Sequence, residues 1–226
     1  MKVSVVIPAF NEEKYIKRCL LSIINQEVKA DEIIVIDNNS TDQTSKIAKS
    51  LGVTVIFEKV QGMIFARNSG FNYAVNEIVA RCDADVIVTP DWIKKIKLNF
   101  SKNKIDALSG PISYIDSPLI LKTSMPSQIY LKSLKLFTKG KVFLIGPNMI
   151  ITKNIWEKVK LNVSLDDSSV HEDIDLSLNI IKAGGIIGYD RSLVVESSAR
   201  RIVSNPQSFF GEYSARLLKT FWLNRN

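Results

Sequence analysis

The chain has 226 residues, 46% hydrophobic and 23% charged, with a formal net charge of +7, which fits one large domain with a buried core and excludes a disordered or fibrous protein. Two cysteines are too few for a disulfide framework and, with one histidine, cannot make a Cys/His zinc site, so a reducing, cytoplasmic setting is expected. The positive charge favours anionic partners, but no basic motif interleaved with aromatics points to nucleic acid.

Residues 2–7 read as a first strand running into Pro8-Ala9-Phe10-Asn11-Glu12-Glu13. Ile16, Cys19, Leu20, Ile23 and Ile24 then recur at helical spacing. Residues 33–36 form a second strand that ends in Asp37-Asn38-Asn39-Ser40-Thr41-Asp42. Ser40, Thr41 and Asp42 suit the N-cap of a helix carrying Ile47, Ala48 and Leu51 and stopping at Gly52. Residues 53–57 are a third strand. Residues 78–82 are a fourth, and they deliver Asp83-Ala84-Asp85. Pro90-Asp91-Trp92 opens a helix with Trp92, Ile93, Ile96 and Phe100 inward. This alternation predicts a parallel α/β sheet. Ligands bind beyond the carboxyl ends of such strands, so the three polar clusters are expected to line one crevice.

Residues 106–110 read as another strand, while residues 111–141 break the rhythm with prolines, serines and a helix around 129–137. Further strands are expected at 142–145, 149–151, 186–189 and 193–195, with a helix over 172–183 stopped by Gly184-Gly185. From Ser208 onward, Phe210, Tyr213, Leu217, Phe221 and Trp222 form one helical stripe with Arg216, Lys219 and Arg225 nearby. That amphipathic helix suits either a membrane interface, as a peripheral contact, or packing on the domain. No apolar run is long enough to span a bilayer.

Two carboxylates after an apolar strand suit a hard divalent cation, Mg²⁺ or Mn²⁺, whose shell substrate phosphates complete. Asp85 is the expected metal ligand. Asp83 is expected to face the other way, toward a ribose hydroxyl or a metal-bound water. Alone, Asp-X-Asp equally describes two solvated loop carboxylates; its company gives it weight.

Residues 5–12, 35–42, Ala66-Arg67-Asn68, Asp83-Ala84-Asp85, Gly146-Pro147-Asn148 and Glu172-Asp173, in that order, resemble the family 2 glycosyltransferases of the GT-A fold over nearly the whole chain. The resemblance implies an α/β fold with a single Rossmann-like, mixed, mostly parallel sheet flanked by helices. It implies one domain over residues 1–226, with a nucleotide-sugar-binding half at 1–110 and an acceptor-side half at 111–226 that includes the C-terminal helix. The implied activity is a metal-dependent, inverting, non-processive transfer of one sugar from a UDP- or GDP-linked donor. The acceptor is a glycan, a lipid-linked molecule or a polyprenyl phosphate.

By the same resemblance, Pro8, Ala9 and Glu12 line the nucleotide pocket, Asp37 bonds the base, and Arg67 lies close to the nucleotide. Asp83, Ala84 and Asp85 complete the donor site. A carboxylate at Asp37 can accept from uracil N3–H or guanine N1–H, so the base stays open. Glu12 equally suits the first turn of a helix. Asp173 is the implied base, with Glu172 an acceptor contact and Asn148 a contact to acceptor or diphosphate. Acidic residues at 172 and 173 also suit an ordinary helix start. His171, the single histidine, is expected to be a surface or capping residue.

The sequence departs from the family pattern at three places. Asn38 stands where a second aspartate is common. No histidine occurs in residues 195–201, where many members place a third metal ligand, so Arg200 or Arg201 is expected to help neutralise the diphosphate. No Gln-X-X-Arg-Trp follows Glu172-Asp173, which favours single-sugar addition. The rival reading is a nucleotide-sugar-binding scaffold without turnover. Nucleotidyltransferase, dinucleotide and P-loop readings lack their glycine-rich loops.

Overall fold

All seven residues of Val3–Ala9 are buried, as a central strand covered on both faces requires, and they form β1. In this computed structural model, which describes residues 1–117, 122–200 and 213–224, the chain continues through α1 (Ile16–Ile24), β2 (Glu32–Asp37), α2 (Thr44–Ser50), β3 (Thr54–Phe57), α3 (Met63–Tyr73) and β4 (Ile78–Arg81). Then come β5 (Ile87–Val88), α4 (Trp92–Lys102), β6 (Ala107–Ser109), β7 (Ile112–Tyr114) and α5 (Met125–Phe137). The remainder is β8 (Met149–Thr152), α6 (Lys153–Val159), α7 (Glu172–Lys182), β9 (Ile187–Tyr189), β10 (Val195–Ser197) and α8 (Tyr213–Leu223).

Seven strands make the main sheet in the order β3-β2-β1-β4-β8-β6-β9, and only β8 runs against its neighbours. The strand order reverses on either side of β1, so its carboxyl end is a topological switch point. Register sets what collects there. Ala9 lies opposite Asp37, and Val6 lies opposite Arg81, so Asp37 and the segment after Arg81 both emerge beside the end of β1.

Alternation along the strands divides the core. Val3, Val5 and Ile7 face α1 and α4, with Trp92, Ile96 and Phe100 among the buried partners. Val6, Ile34 and Ile36 face α3, α6 and α7. On that second face α3 lies close enough that a Cβ on Gly70 would collide with the Val6 side chain. Trp156 packs edge-on against Phe71, with ring centroids 5.2 Å apart.

Several elements differ from the sequence expectations. Residues 142–145 form no strand: the N–H groups of Leu144 and Ile145 donate to the hydroxyls of Ser177 and Ser109 at 2.9 and 3.0 Å instead of to a ladder. The last strand begins at Val195, two residues later than expected. A small second sheet, β5-β10-β7, stands beside the main one. On α8 Leu217 and Phe221 pack against the core, and Phe221 stacks edge-on with Phe143 at 5.8 Å. Trp222, expected on the same stripe, is exposed, and Phe210 and the Tyr213 side chain lie outside the described residues. No described helix is long and apolar enough to cross a membrane.

Candidate active site

Two loops after β1 and β2 are stitched together by short polar side chains. Asn11 and Asn39 take left-handed backbone conformations, φ 53° and 69°, which asparagine tolerates better than most residues. Asn11 Oδ1 accepts from the Thr41 N–H at 2.8 Å, and the Glu12 N–H donates to Thr44 Oγ1 at 2.8 Å. Asp37 turns its carboxylate inward, accepting from the Ser40 N–H at 3.0 Å and from the Ser45 hydroxyl. Asn38 donates to the carbonyls of Glu58 and Val60, at 3.2 and 2.7 Å, and accepts from the Gly62 N–H at 2.8 Å. An aspartate could not donate those two bonds. The departure at Asn38 therefore holds the loop that carries Gln61 and Gly62.

Above these loops opens a cleft bordered by the segments after β1, β2 and β4 and by the start of α3. Of the expected donor-site residues, Pro8, Ala9, Glu12, Asp83, Ala84 and Asp85 all line it. Asp83 does not face away from Asp85: the chain turns over residues 84–85, with the Val86 N–H donating to the Asp83 carbonyl at 3.1 Å, and both residues border the same cleft. Asp37 and Arg67 are outside its lining, while Asn38, Met63 and Ala66 are part of it.

Glu12 and Asp85 share one cation. Arg200 pairs with Glu12 Oε1, its Nε lies 3.4 Å from Asp85 Oδ2, and its guanidinium sits 4.4 Å from the Tyr15 ring centroid. Burial pushes the Arg200 pKa down, but the bond to Glu12 and the charges of Glu12 and Asp85 outweigh it, and the net shift is upward. The second oxygen of Glu12, Oε2, is buried with no hydrogen-bond partner among the described residues. Arg201 lies outside the described residues. No cluster of three His, Cys, Asp or Glu side chains fit for a metal occurs among the described residues. Two carboxylates on one cleft, one with an unsatisfied buried oxygen, nonetheless fit a hard cation that draws its other ligands from substrate phosphates.

Beneath the cleft lies a buried ion network absent from the sequence reading. Arg81, with its side chain 1% exposed, donates to Asp83 Oδ1 at 2.8 Å and to Glu172 Oε1. Arg67, fully buried, donates to the Glu172 carbonyl at 3.0 Å and to its Oε2 at 3.4 Å, and spends the rest of its fork on Asn68. Arg67 is thus committed to Glu172 rather than turned to the cleft. Glu172 is held by two arginines rather than presented to an acceptor. Burial lowers the pKa of both arginines; at Arg81 the charges of Glu172 and Asp83 reverse the shift, so it is raised, while Arg67 stays lowered. The signal for Arg81 was an arginine inside an apolar strand, since a buried charge must be paired.

Asp173 begins α7 next to this network. Its Oδ2 accepts from the Gly146 N–H at 3.1 Å, and its Oδ1 accepts from the Ile174 N–H at 2.8 Å and meets His171 Nδ1 at 2.7 Å. Burial pushes the Asp173 pKa up, but the charge and hydrogen bond of His171 and the two N–H groups outweigh it, leaving it below its usual value. Burial likewise lowers the His171 pKa, and Asp173 outweighs that, leaving it raised. His171 occupies the N-cap position, yet its side chain makes no cap bond and turns to Asp173 instead. Its backbone N–H donates to the buried Thr220 Oγ1 of α8 at 2.7 Å. Asn148 is fully buried, accepting from Trp92 Nε1–H at 3.1 Å and donating to the Leu193 carbonyl at 2.7 Å, so it braces the core and does not reach an acceptor or a diphosphate.

Residues 4–159 match the model of glycosyl transferase family 2. The chain belongs to this family. An uncharacterized glycosyltransferase of Methanocaldococcus jannaschii is 29% identical over 99% of this chain and 80% of its own. An uncharacterized glycosyltransferase of Haemophilus influenzae is 38% identical over 50% of this chain, which covers only 36% of that protein. Among solved structures, the mannosyltransferase PcManGT of Pyrobaculum calidifontis, in complex with GDP-Man and Mn²⁺, superposes with a TM-score of 0.76 at 19% identity, over 100% of this chain and 64% of that one. Glucosyl-3-phosphoglycerate synthase of Mycobacterium tuberculosis, with Mn²⁺, UDP and phosphoglyceric acid, gives 0.69 at 18% identity, over 99% of this chain and 78% of its own. These structures establish the GT-A fold for this family 2 glycosyltransferase.

Proposed function

We propose that this family 2 glycosyltransferase moves one sugar, with inversion and without processive addition, from a UDP- or GDP-linked donor to a glycan, lipid-linked or polyprenyl phosphate acceptor. The observation that carries this reading is the convergence of Glu12, Asp83 and Asp85 on one cleft at the switch point of the sheet. Solved proteins of the same fold, in complex with GDP-Man and Mn²⁺ or with UDP and Mn²⁺, support a nucleotide-sugar ligand and a divalent cation.

Pro8, Ala9 and Ala84 form the walls against which a nucleoside lies, and Asp83 offers its second oxygen to a ribose hydroxyl. Asp37 would meet the base by turning its carboxylate from Ser40 and Ser45 toward the cleft. Asp85, with Glu12, would hold Mg²⁺ or Mn²⁺. A cation bound there supplies Lewis-acid stabilisation of the charge building on the leaving diphosphate. Arg200 contributes a planar fork of donors to the same diphosphate.

Asp173 accepts the proton of the acceptor hydroxyl as that oxygen bonds to the anomeric carbon. The bond from that carbon to the diphosphate oxygen breaks, and the nucleoside diphosphate leaves with the electron pair. A low pKa keeps Asp173 ionised at neutral pH, ready to accept. A phosphate acceptor, already ionised, would need this base less.

Incubation of the chain with a panel of UDP- and GDP-sugars, Mn²⁺ and candidate acceptors tests the reading, with the product anomer assigned by NMR. A product of opposite anomeric configuration to the donor, with kcat reduced about 10²–10⁴-fold in Asp173→Asn for a hydroxyl acceptor, is the expected result. Donor binding with neither transfer nor hydrolysis across the panel would favour a nucleotide-sugar-binding scaffold instead.

A further inference from the structure

The helix α5 is apolar on two opposite sides. Leu131 and Leu134 point into the core, 8% and 6% exposed. Met125, Ile129 and Leu136, which share the opposite face by helical spacing, are 60%, 59% and 84% exposed. Phe137, 75% exposed, lies at the end of this helix with its ring 6.2 Å from Phe221 of α8. Within one turn of Phe221, Leu218 and Trp222 are 68% and 67% exposed. Apolar surface therefore continues from α5 across the ring contact onto α8. Single exposed leucines are ordinary, but a contiguous patch on two helices marks a contact surface.

Along α5 and the segments that flank it the charge has one sign. Between Asp116 and Glu157 the sequence holds six lysines and not one Asp or Glu. Lys132, Lys135 and Lys139 are exposed along and just beyond α5, and Lys219 is exposed on α8. A second copy of the chain docking face to face would set lysines against lysines, a like-charge cost. Anionic headgroups over acyl chains match both components: lysines meet phosphates, while leucine, phenylalanine and tryptophan side chains enter the headgroup boundary.

We propose that the outward faces of α5 and α8 are a docking surface for an anionic lipid bilayer. The surface lies mainly on α5, in the stretch between β7 and β8, and only secondarily on the C-terminal helix. It also reaches the catalytic loop, because α8 carries both Trp222 and the Thr220 hydroxyl that accepts from the His171 N–H. Vesicle binding needs neither sugar nor metal, so this inference stands or falls separately from the donor-site reading.

Flotation of the intact chain with vesicles of phosphatidylcholine alone, and of equal parts phosphatidylcholine and phosphatidylglycerol, tests it. The wild type is expected to float with the phosphatidylglycerol vesicles and remain behind with phosphatidylcholine, and added salt should release it. Two variants separate the components: Ile129→Ser with Leu136→Ser removes apolar side chains that face solvent, and Lys132→Glu with Lys135→Glu reverses the charge. Each is expected to keep the wild-type circular dichroism spectrum and to bind anionic vesicles roughly tenfold or more weakly. A wild type that fails to float with anionic vesicles, or folded variants that float equally well, would overturn the proposal. So would light scattering that shows a dimer dispersed by Leu136→Ser while no vesicles are bound, since that would assign the patch to a second copy.

Discussion

His171 Nδ1 lies 2.7 Å from Asp173 Oδ1, so the single histidine of the chain is the counter-ion of the proposed base. Protonated His171 holds the Asp173 pKa down. Removing that charge with His171→Gln should raise the Asp173 pKa, and the acid limb of the kcat profile for a hydroxyl acceptor should move to higher pH. An unchanged limb would mean that Asp173 does not titrate in turnover.

The same pair predicts a pH dependence of stability. The folded pKa of His171 is raised, so its contribution is fully present below the unfolded value of about 6.5 and is lost as pH rises through the folded value. The stability gap between wild type and His171→Gln, read by urea unfolding, should therefore be largest in mild acid and shrink above neutrality. Thr220 anchors the His171 backbone rather than its ring, so the gap that remains at high pH reports lost packing.

Arg81 ties Asp83 of the cleft to Glu172 beside the proposed base. Arg81→Met would leave Glu172 and Asp83 without this buried counter-ion and should cost about 3–5 kcal/mol of folding stability. Arg81→Lys, which keeps the charge but cannot bridge both carboxylates in the same fork geometry, should retain more stability than Arg81→Met while still weakening donor binding. Chemical denaturation and donor KM measured on the same samples check the two effects.

Arg200 occupies the space between Glu12 and Asp85 as a built-in cation. Arg200→Ala should therefore tighten binding of Mn²⁺ alone, because the carboxylates lose a competitor. It should also weaken binding of a nucleoside diphosphate by roughly tenfold, the worth of a charge-assisted bond. Titrations with Mn²⁺ alone and with UDP or GDP in excess Mn²⁺ separate the two, and opposite signs are the expected outcome.

Asn148 tests how far a motif match can mislead. Its amide is spent on Trp92 and Leu193 deep in the core. Asn148→Ala should cost about 1–3 kcal/mol through those unsatisfied partners, without changing the acceptor KM of the folded protein.

Most of the first hundred residues were legible because hydrophobic alternation, N-cap residues and the polar ends of the strands all point one way. The cleft followed, since Pro8, Glu12, Asp83 and Asp85 sit at the strand ends of one parallel sheet. What stayed hidden was pairing between distant residues. Nothing local tells that Arg67 and Arg81 both close on Glu172, more than 90 positions away, or that His171 turns back to Asp173 rather than to solvent. Residues 142–145 look like a strand because they are apolar, yet their N–H groups bond to serine hydroxyls contributed by β6 and α7. Helix α3 escaped a periodicity reading because Ala66, Arg67 and Gly70 share its buried face with Ile64 and Phe71 and blur the apolar period.

The most direct test of the donor site is calorimetric titration of UDP and GDP, each with and without Mn²⁺, into the wild type and into Asp85→Ala. The account predicts metal-dependent binding of one nucleotide to the wild type and its loss in Asp85→Ala. Absence of binding by either nucleotide under all conditions, or equal binding by the variant, would contradict it.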